Sequence, residues 1–170
     1  MTIQIGDRLP EGSLQEFIDV ETEGCALGPN TFNVADLVKG KTIAIFGLPG
    51  AFTPTCSAQH LPGYIQLADQ LKAKGVDEIW CISVNDAFVM GAWARDQRTS
   101  GKVRMMADGS AAFTRALGLE QDLSARGMGM RSQRYAMVVD DGVVKTLHVE
   151  APGKFEVSDA ASILATLSQA

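Results

Sequence analysis

The residue types between positions 49 and 56 point to thiol chemistry. Cys56 ends a proline-rich stretch, residues 49–56, which follows an apolar run at 42–46 and precedes a long helix-compatible segment. This order predicts a strand, a tight loop and a cysteine in the first turn of a helix. Backbone N–H groups in a first helical turn lack intrahelical partners and carry partial positive charge. They favour the thiolate, which is the nucleophilic form of a cysteine side chain.

Three neighbours of Cys56 have side chains suited to shaping its surroundings. Pro49 and Pro54 restrict φ and so stiffen the loop. Thr53 lies three residues before the sulfur, and its hydroxyl group can donate one hydrogen bond and accept another. The loop is therefore suited to holding a thiolate beside a small polar substrate. The alternative is a buried structural cysteine, which is the common role of free cysteines.

Composition limits the kind of protein this is. The 170 residues are 46% hydrophobic and 21% charged, which is typical of a globular protein, and we expect one domain over residues 1–170. The formal net charge of −5 argues against nucleic acid and anionic membranes as partners. Three cysteines without close spacing do not suggest a secreted disulfide framework, and residues 1–7 lack the features of a signal peptide. We therefore expect a cytoplasmic location, and no apolar run is long enough to span a membrane.

Hydrophobic patterns alternate between strand and helix along most of the chain. Strands are predicted at residues 14–20, 41–46, 78–84 and 103–107, with a hairpin formed by 134–139 and 143–149. Helices are predicted at 34–38, 57–74 with a break at Pro62-Gly63, 87–95, 111–117 and 160–168. Their expected caps are Asn33, Asn85 or Asp86, Asp108 or Ser110, and Ser158 or Asp159. Residues 24–30 and 119–132 are predicted loops, and Cys25 is expected to be an incidental loop thiol.

The order of these elements predicts the fold class. A strand, a helix and a second strand within residues 41–84 form a βαβ unit, whose strands should be parallel. Further helices follow, and then a hairpin and a last helix. We therefore expect an α/β protein with a mixed central sheet flanked by helices. This is the arrangement of a thioredoxin-like fold that carries an N-terminal extension and an inserted helix.

The loop and the expected fold together resemble the peroxiredoxins, and specifically their atypical type II (class five) subfamily. Pro49, Thr53 and Cys56 match the Pro-x-x-x-Thr-x-x-Cys motif of the family. Longer stretches typical of the subfamily are residues 49–64, 81–90 and 134–142. The resemblance extends over nearly the whole chain.

The resemblance implies a function and a role for each of four residues. Cys56 would be the peroxidatic cysteine, and Pro49 and Thr53 would line the peroxide pocket. Arg134 would place its guanidinium beside the thiolate. Members of the family are peroxidases that reduce hydrogen peroxide and alkyl hydroperoxides without metal or haem, so no cofactor is expected. The subfamily often forms dimers through the face near the active site, and a homodimer is therefore expected here.

Attack of a thiolate on a peroxide explains why an arginine is needed. The O–O bond breaks, negative charge develops on the leaving oxygen, and Cys56 becomes a sulfenic acid. A guanidinium stabilises the thiolate and donates to the peroxide oxygens. From the residues alone, Arg134 cannot be chosen over Arg126 or Arg131. The resemblance makes that choice.

The resemblance leaves open how oxidised Cys56 is reduced. Some relatives carry a resolving cysteine after the hairpin, where this chain has Ser158, and others form an internal disulfide through a cysteine that matches Cys81. Because Cys81 is predicted inside a buried strand, a Cys56–Cys81 disulfide would require local unfolding, and a core role is the favoured alternative. An external thiol would then reduce the sulfenic acid. Glutathione with glutaredoxin is the first expectation, and thioredoxin acting on a Cys56–Cys81 disulfide is the second.

Other functions are compatible with some of the same residues. A peroxide sensor or binding protein would use oxidation of Cys56 without turnover. A cysteine hydrolase would need His60 or His148 as a base, and a histidine four residues along a helix is badly placed for that role. A zinc site would need Cys56 and His60 with Cys81 and His148, which do not form two close pairs, so a core or capping histidine is expected at position 60. A dithiol reductase would need a Cys-x-x-Cys motif, which residues 56–59 lack.

Overall fold

One mixed β-sheet forms the centre of the fold. A computed structural model of the chain describes residues 1–169. Its strands are β1 (Ser13–Ile18), β2 (Gly28–Asn33), β3 (Thr42–Leu48), β4 (Glu78–Ser83), β5 (Arg104–Ala107), β6 (Glu120–Leu123), β7 (Gly129–Ser132), β8 (Tyr135–Asp140) and β9 (Val143–Val149). Seven of these strands form the main sheet in the order β2-β1-β5-β4-β3-β8-β9, and β6 pairs with β7 in a separate hairpin.

Helices cover both faces of this sheet. They are α1 (Val34–Val38), α2 (Leu61–Ala73), α3 (Ala87–Gln97), α4 (Ala112–Leu117) and α5 (Ala160–Ser168). One hydrophobic cluster packs α2, α3 and α5 against one face, and a second cluster packs α1 and α4 against the other. A π-helical segment, Cys56–His60, leads into α2, and a 3-10 turn, Ser124–Arg126, separates β6 from β7. No helix within residues 1–169 is long and apolar enough to cross a membrane.

The central strands follow the predicted βαβ arrangement. β3 lies parallel to β4 and β4 lies parallel to β5, whereas β8 pairs antiparallel with β3. Along β4, Ile79 and Cys81 point to the α2 face, and Trp80 and Ile82 point to the opposite face. Strands buried on both faces produce continuous apolar runs, which is why the sequence pattern identified them. The predicted thioredoxin-like α/β fold, with a mixed sheet flanked by helices, is confirmed.

Side-chain caps define where several helices begin. The caps of α1, α3 and α5 are Asn33, Asp86 and Asp159, which agrees with the predictions. By contrast, α4 begins after Ala111 rather than after Asp108 or Ser110. The Asp108 carboxylate still accepts the N–H groups of Phe113 and Thr114 in the first turn.

Three segments differ from the sequence-based predictions. Residues 24–30 are not all loop, because β2 begins at Gly28 and pairs with β1 at the edge of the sheet. Residues 119–132 are not an irregular loop, because β6 and β7 pair as a hairpin. The helix predicted from residue 57 starts as a π-helical segment and becomes α-helical only at Leu61. The missed strands are short and rich in glycine and polar residues, which strand propensities disfavour.

The packing of the sheet can be tested by a substitution at the contact between Gly47 and Tyr135. The two residues pair across β3 and β8, and a Cβ at position 47 would overlap with ring carbons of Tyr135. We therefore predict that Gly47→Ala lowers the free energy of unfolding by about 1–3 kcal/mol, the usual cost of overpacking. Urea unfolding followed by tryptophan fluorescence measures this change.

Gly63→Ala is the matched control for Gly47→Ala. A Cβ at position 63 in α2 would only touch Cβ of Ala160, at 4.0 Å. Alanine is also the better helix former, so stability should stay equal or rise. Wild-type stability of Gly47→Ala would contradict the packing described here.

Candidate active site

Cys56 lies at the start of a helix, directly after the loop that follows β3. Pro54 and Thr55 already have helical geometry, and Cys56 opens the π-helical segment. Proline suits the first helical turn because N–H groups there have no intrahelical partner. The N–H of Ser57 donates to the carbonyl of Thr53 at 2.9 Å, which closes the first turn. Cys56 therefore occupies the first-turn position that the sequence predicts.

Thr53 is oriented by the backbone of its own loop. Its hydroxyl donates to the carbonyl of Gly50 at 2.7 Å. A hydroxyl group has one hydrogen to donate, so Thr53 can only accept a hydrogen bond from a ligand in the pocket. This corrects the expectation that Thr53 would both donate and accept there.

Two side chains from other elements hold the loop in its shape. Asn85 Oδ1 accepts the N–H of Ala51 at 2.9 Å, and Arg131 Nη1 donates to the carbonyl of Pro49 at 3.3 Å. Phe52, which follows Ala51, has a φ of 63°, a left-handed conformation that costs about 1–2 kcal/mol outside glycine. These contacts stabilise the loop against that cost. Arg131 therefore supports the loop.

Arg134 places its guanidinium on the sulfur. Its Nη2 donates to Sγ of Cys56 at 3.1 Å, and its Nη1 donates to Nδ1 of His60 at 2.8 Å. Because a guanidinium is planar and rigid, fixing one nitrogen on His60 also directs the other towards the sulfur. The structure thus brings Arg134 to Cys56, as the resemblance implied.

The register of three neighbouring strands brings Arg134 to the loop. Tyr135 at the start of β8 pairs with Gly47 near the end of β3 on one side, and with Val149 at the end of β9 on the other. Residue 134 therefore lies just before β8 and residue 150 just after β9, next to the end of β3, where the cysteine loop begins. The backbone N–H of Glu150 donates to the carbonyl of Arg134 at 2.9 Å, which extends the pairing to these two residues.

The charge of Arg134 has no carboxylate partner in the described part of the chain. The side chains that form ion pairs within residues 1–169 are Lys41, Arg95, Lys102 and Arg104, with Glu16, Asp19, Asp69 and Glu78. Arg134 is half-buried, and a cation in this position favours an anion beside it. The group that lies beside this cation is the sulfur of Cys56.

Glu150 belongs to the scaffold of the site. Its carboxylate accepts hydrogen bonds from the backbone N–H groups of residues 156–158 and from the hydroxyl of Ser158, at 2.7–2.9 Å. Burial alone would raise the pKa of Glu150, but these hydrogen bonds lower it below the ordinary value. Glu150 therefore stays ionised and orders the connection between β9 and α5, residues 150–158.

His60 links Arg134 to this connection. The carbonyl of Ser158 accepts hydrogen bonds from Nε2 of His60 at 3.0 Å and from the hydroxyl of Tyr64 at 2.8 Å. Because a carbonyl only accepts, Nε2 carries the hydrogen, and Nδ1 is left as the acceptor for Arg134. Burial and the charge of Arg134 lower the pKa of His60 to about 3. The ring is therefore neutral at physiological pH.

The π-helical segment sets the relation between Cys56 and His60. Its turn closes with the N–H of Leu61 donating to the carbonyl of Cys56, one residue further than in an α-helix. Pro62 has no N–H, and in an α-helix its ring would clash with the carbonyl of residue 58. The helix is therefore irregular one turn before the predicted break at Pro62-Gly63, in the π-helical segment, and it is regular at Pro62 and Gly63. Cys56 and His60 are nearly one turn apart there, and both contact Arg134.

A pocket of about 720 Å³ opens beside these residues. Pro49, Thr53 and Arg134 are among the residues that line it, and the roles of Pro49 and Thr53 towards a peroxide stay predictions. Further lining side chains come from the β6–β7 hairpin and from the 150–158 connection: Leu123, Arg126, Met128, Pro152, Lys154 and Phe155. Cys56 itself is fully buried, which limits access to its sulfur to small groups that enter between these side chains.

None of the three cysteines, including Cys56, belongs to the pocket lining. Cys81 is fully buried in β4, in the same hydrophobic cluster as Cys56, and burial raises the pKa of its thiol. Cys25 is half-buried between β1 and β2, where backbone hydrogen bonds join it to Thr22. The predicted burial of Cys81 in a strand is confirmed, whereas its part in reducing Cys56 stays a prediction.

The hydrogen bonds of His60 bear on the hydrolase and zinc alternatives. Both ring nitrogens are engaged, so neither is placed to take a proton from Cys56 or to bind a metal ion. Within residues 1–169, no group of three His, Cys, Asp or Glu side chains could hold a metal ion. His60 is buried in the core, as expected, but the sequence did not predict its contact with Arg134. The available signal for this contact was the Cys-x-x-x-His spacing just before a proline.

Comparison with known proteins assigns these features to a family. Residues 4–164 match the Redoxin family. Peroxiredoxin-2B of Arabidopsis thaliana is 46% identical over 165 residues, which cover 97% of this chain and 98% of the relative. Reduced Prx3 of Vibrio vulnificus in complex with hydrogen peroxide is 54% identical, with 98% of this chain and 99% of that chain covered and a TM-score of 0.90. A Burkholderia cenocepacia protein, provisionally described as a thioredoxin reductase, is 75% identical, with 98% of both chains covered and a TM-score of 0.97.

The chain belongs to the peroxiredoxin family. The matched region includes the cysteine loop, Arg134 and the 150–158 connection. The family implied by the resemblance is therefore confirmed.

His60 acts on Cys56 through Arg134, and its substitution tests this positioning role. We predict that His60→Leu lowers the proportion of Cys56 present as thiolate at neutral pH and slows oxidation by hydrogen peroxide roughly tenfold. A hydrogen bond to a charged group contributes about 1.5–3 kcal/mol, part of which is lost when Arg134 loses its acceptor. Thiolate absorbance against pH and stopped-flow oxidation measure the two effects.

Two further variants separate positioning from packing. His60→Asn should recover much of the rate, because an amide oxygen near the position of Nδ1 can accept from Arg134. Tyr64→Phe should change the rate little, because it removes a hydrogen bond to Ser158 and leaves Arg134 untouched. If His60→Asn and His60→Leu lose the same amount of thiolate, His60 only fills space.

Proposed function

We propose that the chain is a thiol peroxidase that reduces hydrogen peroxide and alkyl hydroperoxides through Cys56. The observation that carries this proposal is the guanidinium of Arg134, 3.1 Å from a buried cysteine sulfur and without a carboxylate partner in residues 1–169. A cation held in this way stabilises the thiolate and can also donate to peroxide oxygens. The Vibrio vulnificus relative is in complex with hydrogen peroxide, which supports the same substrate here.

The proposed reaction is a substitution at oxygen. The thiolate of Cys56 attacks one peroxide oxygen, an S–O bond forms, and the O–O bond breaks. The second oxygen leaves as an alkoxide or hydroxide and takes up a proton, while Cys56 loses two electrons and becomes a sulfenic acid. Arg134 stabilises the charge that develops on the leaving oxygen. The hydroxyl oxygen of Thr53 accepts the hydrogen bond from the O–H of the hydroperoxide.

The subfamily that we propose is the atypical type II subfamily. The support is the stretch from Pro49 to Tyr64, which continues the family motif and includes both His60 and Pro62. These two residues define the π-helical segment and the contact with Arg134. The subfamily motif thus includes the residues that position the guanidinium of Arg134.

For the reductive half of the cycle we propose glutathione with glutaredoxin. Glutathione attacks the sulfenic acid, water is released, and the mixed disulfide on Cys56 is reduced by glutaredoxin or a second thiol. Burial of Cys81 supports an external thiol, because its raised pKa leaves little of the nucleophilic thiolate. Reducing compartments keep such thiols available, which is consistent with the predicted cytoplasmic location.

Two alternatives to this cycle predict different results in the mass experiment described below. Thioredoxin would act on a Cys56–Cys81 disulfide, which requires β4 to open locally. A peroxide sensor would form the same sulfenic acid and fail to turn over. The thioredoxin reductase function suggested for the Burkholderia relative has no support in the residues after Cys56, since Ser57-Ala58-Gln59 does not complete a Cys-x-x-Cys redox motif.

We propose a homodimer whose interface includes exposed aromatic side chains near the loop. Phe52 and Phe88 are 53% and 65% exposed. Phe52 lies in the loop with its ring 6.3 Å from that of Trp93 in α3, and Phe88 lies in the first turn of α3. The two phenylalanines therefore belong to one region beside the active-site loop. Exposed apolar patches of this kind mark interaction surfaces.

Intact mass after one equivalent of hydrogen peroxide, without added thiol, tests the proposed cycle. We predict a species one oxygen heavier that a sulfenic-acid reagent traps, and glutathione should then convert it to a mixed disulfide. Cys56→Ser should abolish both the oxidised species and peroxide consumption, because the attacking sulfur is gone. Peroxide consumption by Cys56→Ser at the wild-type rate would overturn the proposal.

Cys81→Ser separates the two reductants. With an external thiol, this variant should keep the wild-type oxidised mass and turnover with glutathione and glutaredoxin. A wild-type species two hydrogens lighter, absent in Cys81→Ser, would instead assign the Cys56–Cys81 disulfide and thioredoxin. Oxidation without turnover by either reductant would favour the sensor.

Light scattering tests the dimer. We predict a mass twice the 18.1 kDa of one chain, and a shift towards the monomer in Phe88→Asp, because a carboxylate at the interface must be desolvated. Ile5→Asp is the matched control, since Ile5 is 63% exposed and lies beside β9 at the other end of the sheet. A monomeric wild type, or equal dissociation of both variants, would contradict this interface.

A further inference from the structure

The pocket is larger than its smallest substrate requires. A hydroperoxide group has roughly the volume of two water molecules, about 60 Å³. The pocket measures about 720 Å³. Its inner end is formed by Pro49, Thr53 and Arg134, and its outer part by the β6–β7 hairpin and the 150–158 connection. The outer part is therefore available to the remainder of a bulkier ligand.

Apolar side chains form the walls of this outer part. Leu123 and Met128 belong to the hairpin segment, and Pro152 and Phe155 belong to the connection. Phe155 also lies against the guanidinium of Arg134, with the guanidinium carbon 5.8 Å from the ring centre. Walls of this kind favour a ligand with a hydrocarbon portion, because its burial removes apolar surface from water.

Two cations at the outer part have no partner within residues 1–169. Arg126 and Lys154 both line the pocket and are exposed, and neither forms an ion pair with a described residue. The lining as a whole holds three cations, Arg126, Arg134 and Lys154, and one carboxylate, that of Glu150, which already accepts hydrogen bonds from residues 156–158. On a chain with a formal net charge of −5, the outer pocket is therefore locally positive.

Tight turns present both cations. Arg126 ends the 3-10 turn, which the N–H of Gly127 closes by donating to the carbonyl of Ser124 at 3.0 Å, and Asp122 accepts the N–H of Ser124 at its start, at 2.8 Å. Lys154 ends a second turn, in which its N–H donates to the carbonyl of Ala151 at 3.0 Å and Gly153 has a φ of 75°. The backbone that carries each charge is therefore fixed before a ligand arrives, which lowers the entropy cost of binding.

We infer that the outer pocket binds the carboxylate of a small ligand whose reacting group lies at Cys56. This inference rests on the proposed peroxidase function and adds the chemical class of the ligand. Two sources supply such a carboxylate: an organic hydroperoxide with an acid group in the oxidative half-reaction, and glutathione in the reductive half-reaction. In both, an anionic group is joined by a short chain to the atom that reacts with Cys56.

The oxidative arm of the test uses cumene hydroperoxide with and without a carboxylate on its ring. Stopped-flow rate constants for oxidation of the reduced protein are each divided by the rate constant of the same variant for hydrogen peroxide. In the wild type the carboxylate should raise this ratio about fivefold, in line with exposed ion pairs. In the double variant Arg126→Gln/Lys154→Gln the preference should fall to about one. Added salt should weaken the wild-type preference.

A matched control separates local from global charge effects. Lys74→Gln/Arg115→Gln removes the same charge from exposed positions outside the pocket lining. This control should keep the wild-type preference for the carboxylate. Its loss in the control as well would show that net charge, and not the pocket, is responsible.

The reductive arm uses glutathione and its diethyl ester, which has the same thiol and no free carboxylate. The sulfenic acid is formed with one equivalent of hydrogen peroxide, and formation of the mixed disulfide is followed by mass. Glutathione should react about fivefold faster than the ester with the wild type, and the double variant should lose this difference.

The two arms distinguish the sources of the carboxylate. Loss of preference only in the oxidative arm assigns the hydroperoxide, and loss only in the reductive arm assigns glutathione. Equal ratios in the wild type and the double variant in both arms would overturn the inference, even if the protein consumes hydrogen peroxide with dithiothreitol. Absence of that consumption would instead overturn the proposed function and this inference with it.

Discussion

The guanidinium of Arg134 contacts two groups at once, the sulfur of Cys56 and Nδ1 of His60. A partly buried cation is stable only where an anion or suitable acceptors accompany it. Arg104 shows the common arrangement, since its guanidinium bridges the carboxylates of Glu16 and Glu78. Burial opposes ionisation of Glu78, but hydrogen bonds from Lys41, Trp80 and Arg104 lower its pKa to about 2. Arg134 lacks such a carboxylate among the described residues, and its guanidinium lies against the sulfur of Cys56 instead.

The neutral state of His60 is part of this arrangement. A protonated imidazole would offer Arg134 a second positive charge and no acceptor, and the guanidinium would be pushed away from the sulfur. Because burial and Arg134 itself lower the pKa of His60 to about 3, the contact persists throughout the physiological range of pH. The carbonyl of Ser158 fixes the tautomer, and Glu150 fixes the segment that carries this carbonyl. The site therefore depends on three separate stretches of chain that β3, β8 and β9 bring to one edge of the sheet.

The parts of the fold that the sequence predicts well are those whose side chains are buried on both faces. β3 and β4 give continuous apolar runs, and the helix between them is periodic, so the βαβ unit is visible without a structure. β2 is held by backbone pairing with β1, and its residues, including Pro29 and Asn30, carry no strand pattern. The same applies to the β6–β7 hairpin. The π-helical segment has no propensity signature of its own and follows from the steric demands of Pro62.

In the candidate site too, some features can be predicted from the local sequence and others only from the tertiary structure. The position of Cys56 in a first helical turn follows from residues 49–56, whereas the choice among Arg126, Arg131 and Arg134 depends on strand register, which the local sequence does not contain. The structure gives each arginine a different place: in the outer pocket, on the loop carbonyl and on the sulfur.

This division has a consequence for specificity. The inner site is built from buried, strongly constrained elements, while the outer pocket is built from the exposed turns that carry Arg126 and Lys154. Because exposed turns tolerate substitution far better than buried strands, the ligand preference of such a chain can change without any change at Cys56. The β6–β7 hairpin, which the sequence pattern does not predict, is therefore one of the segments on which the inferred discrimination between ligands depends.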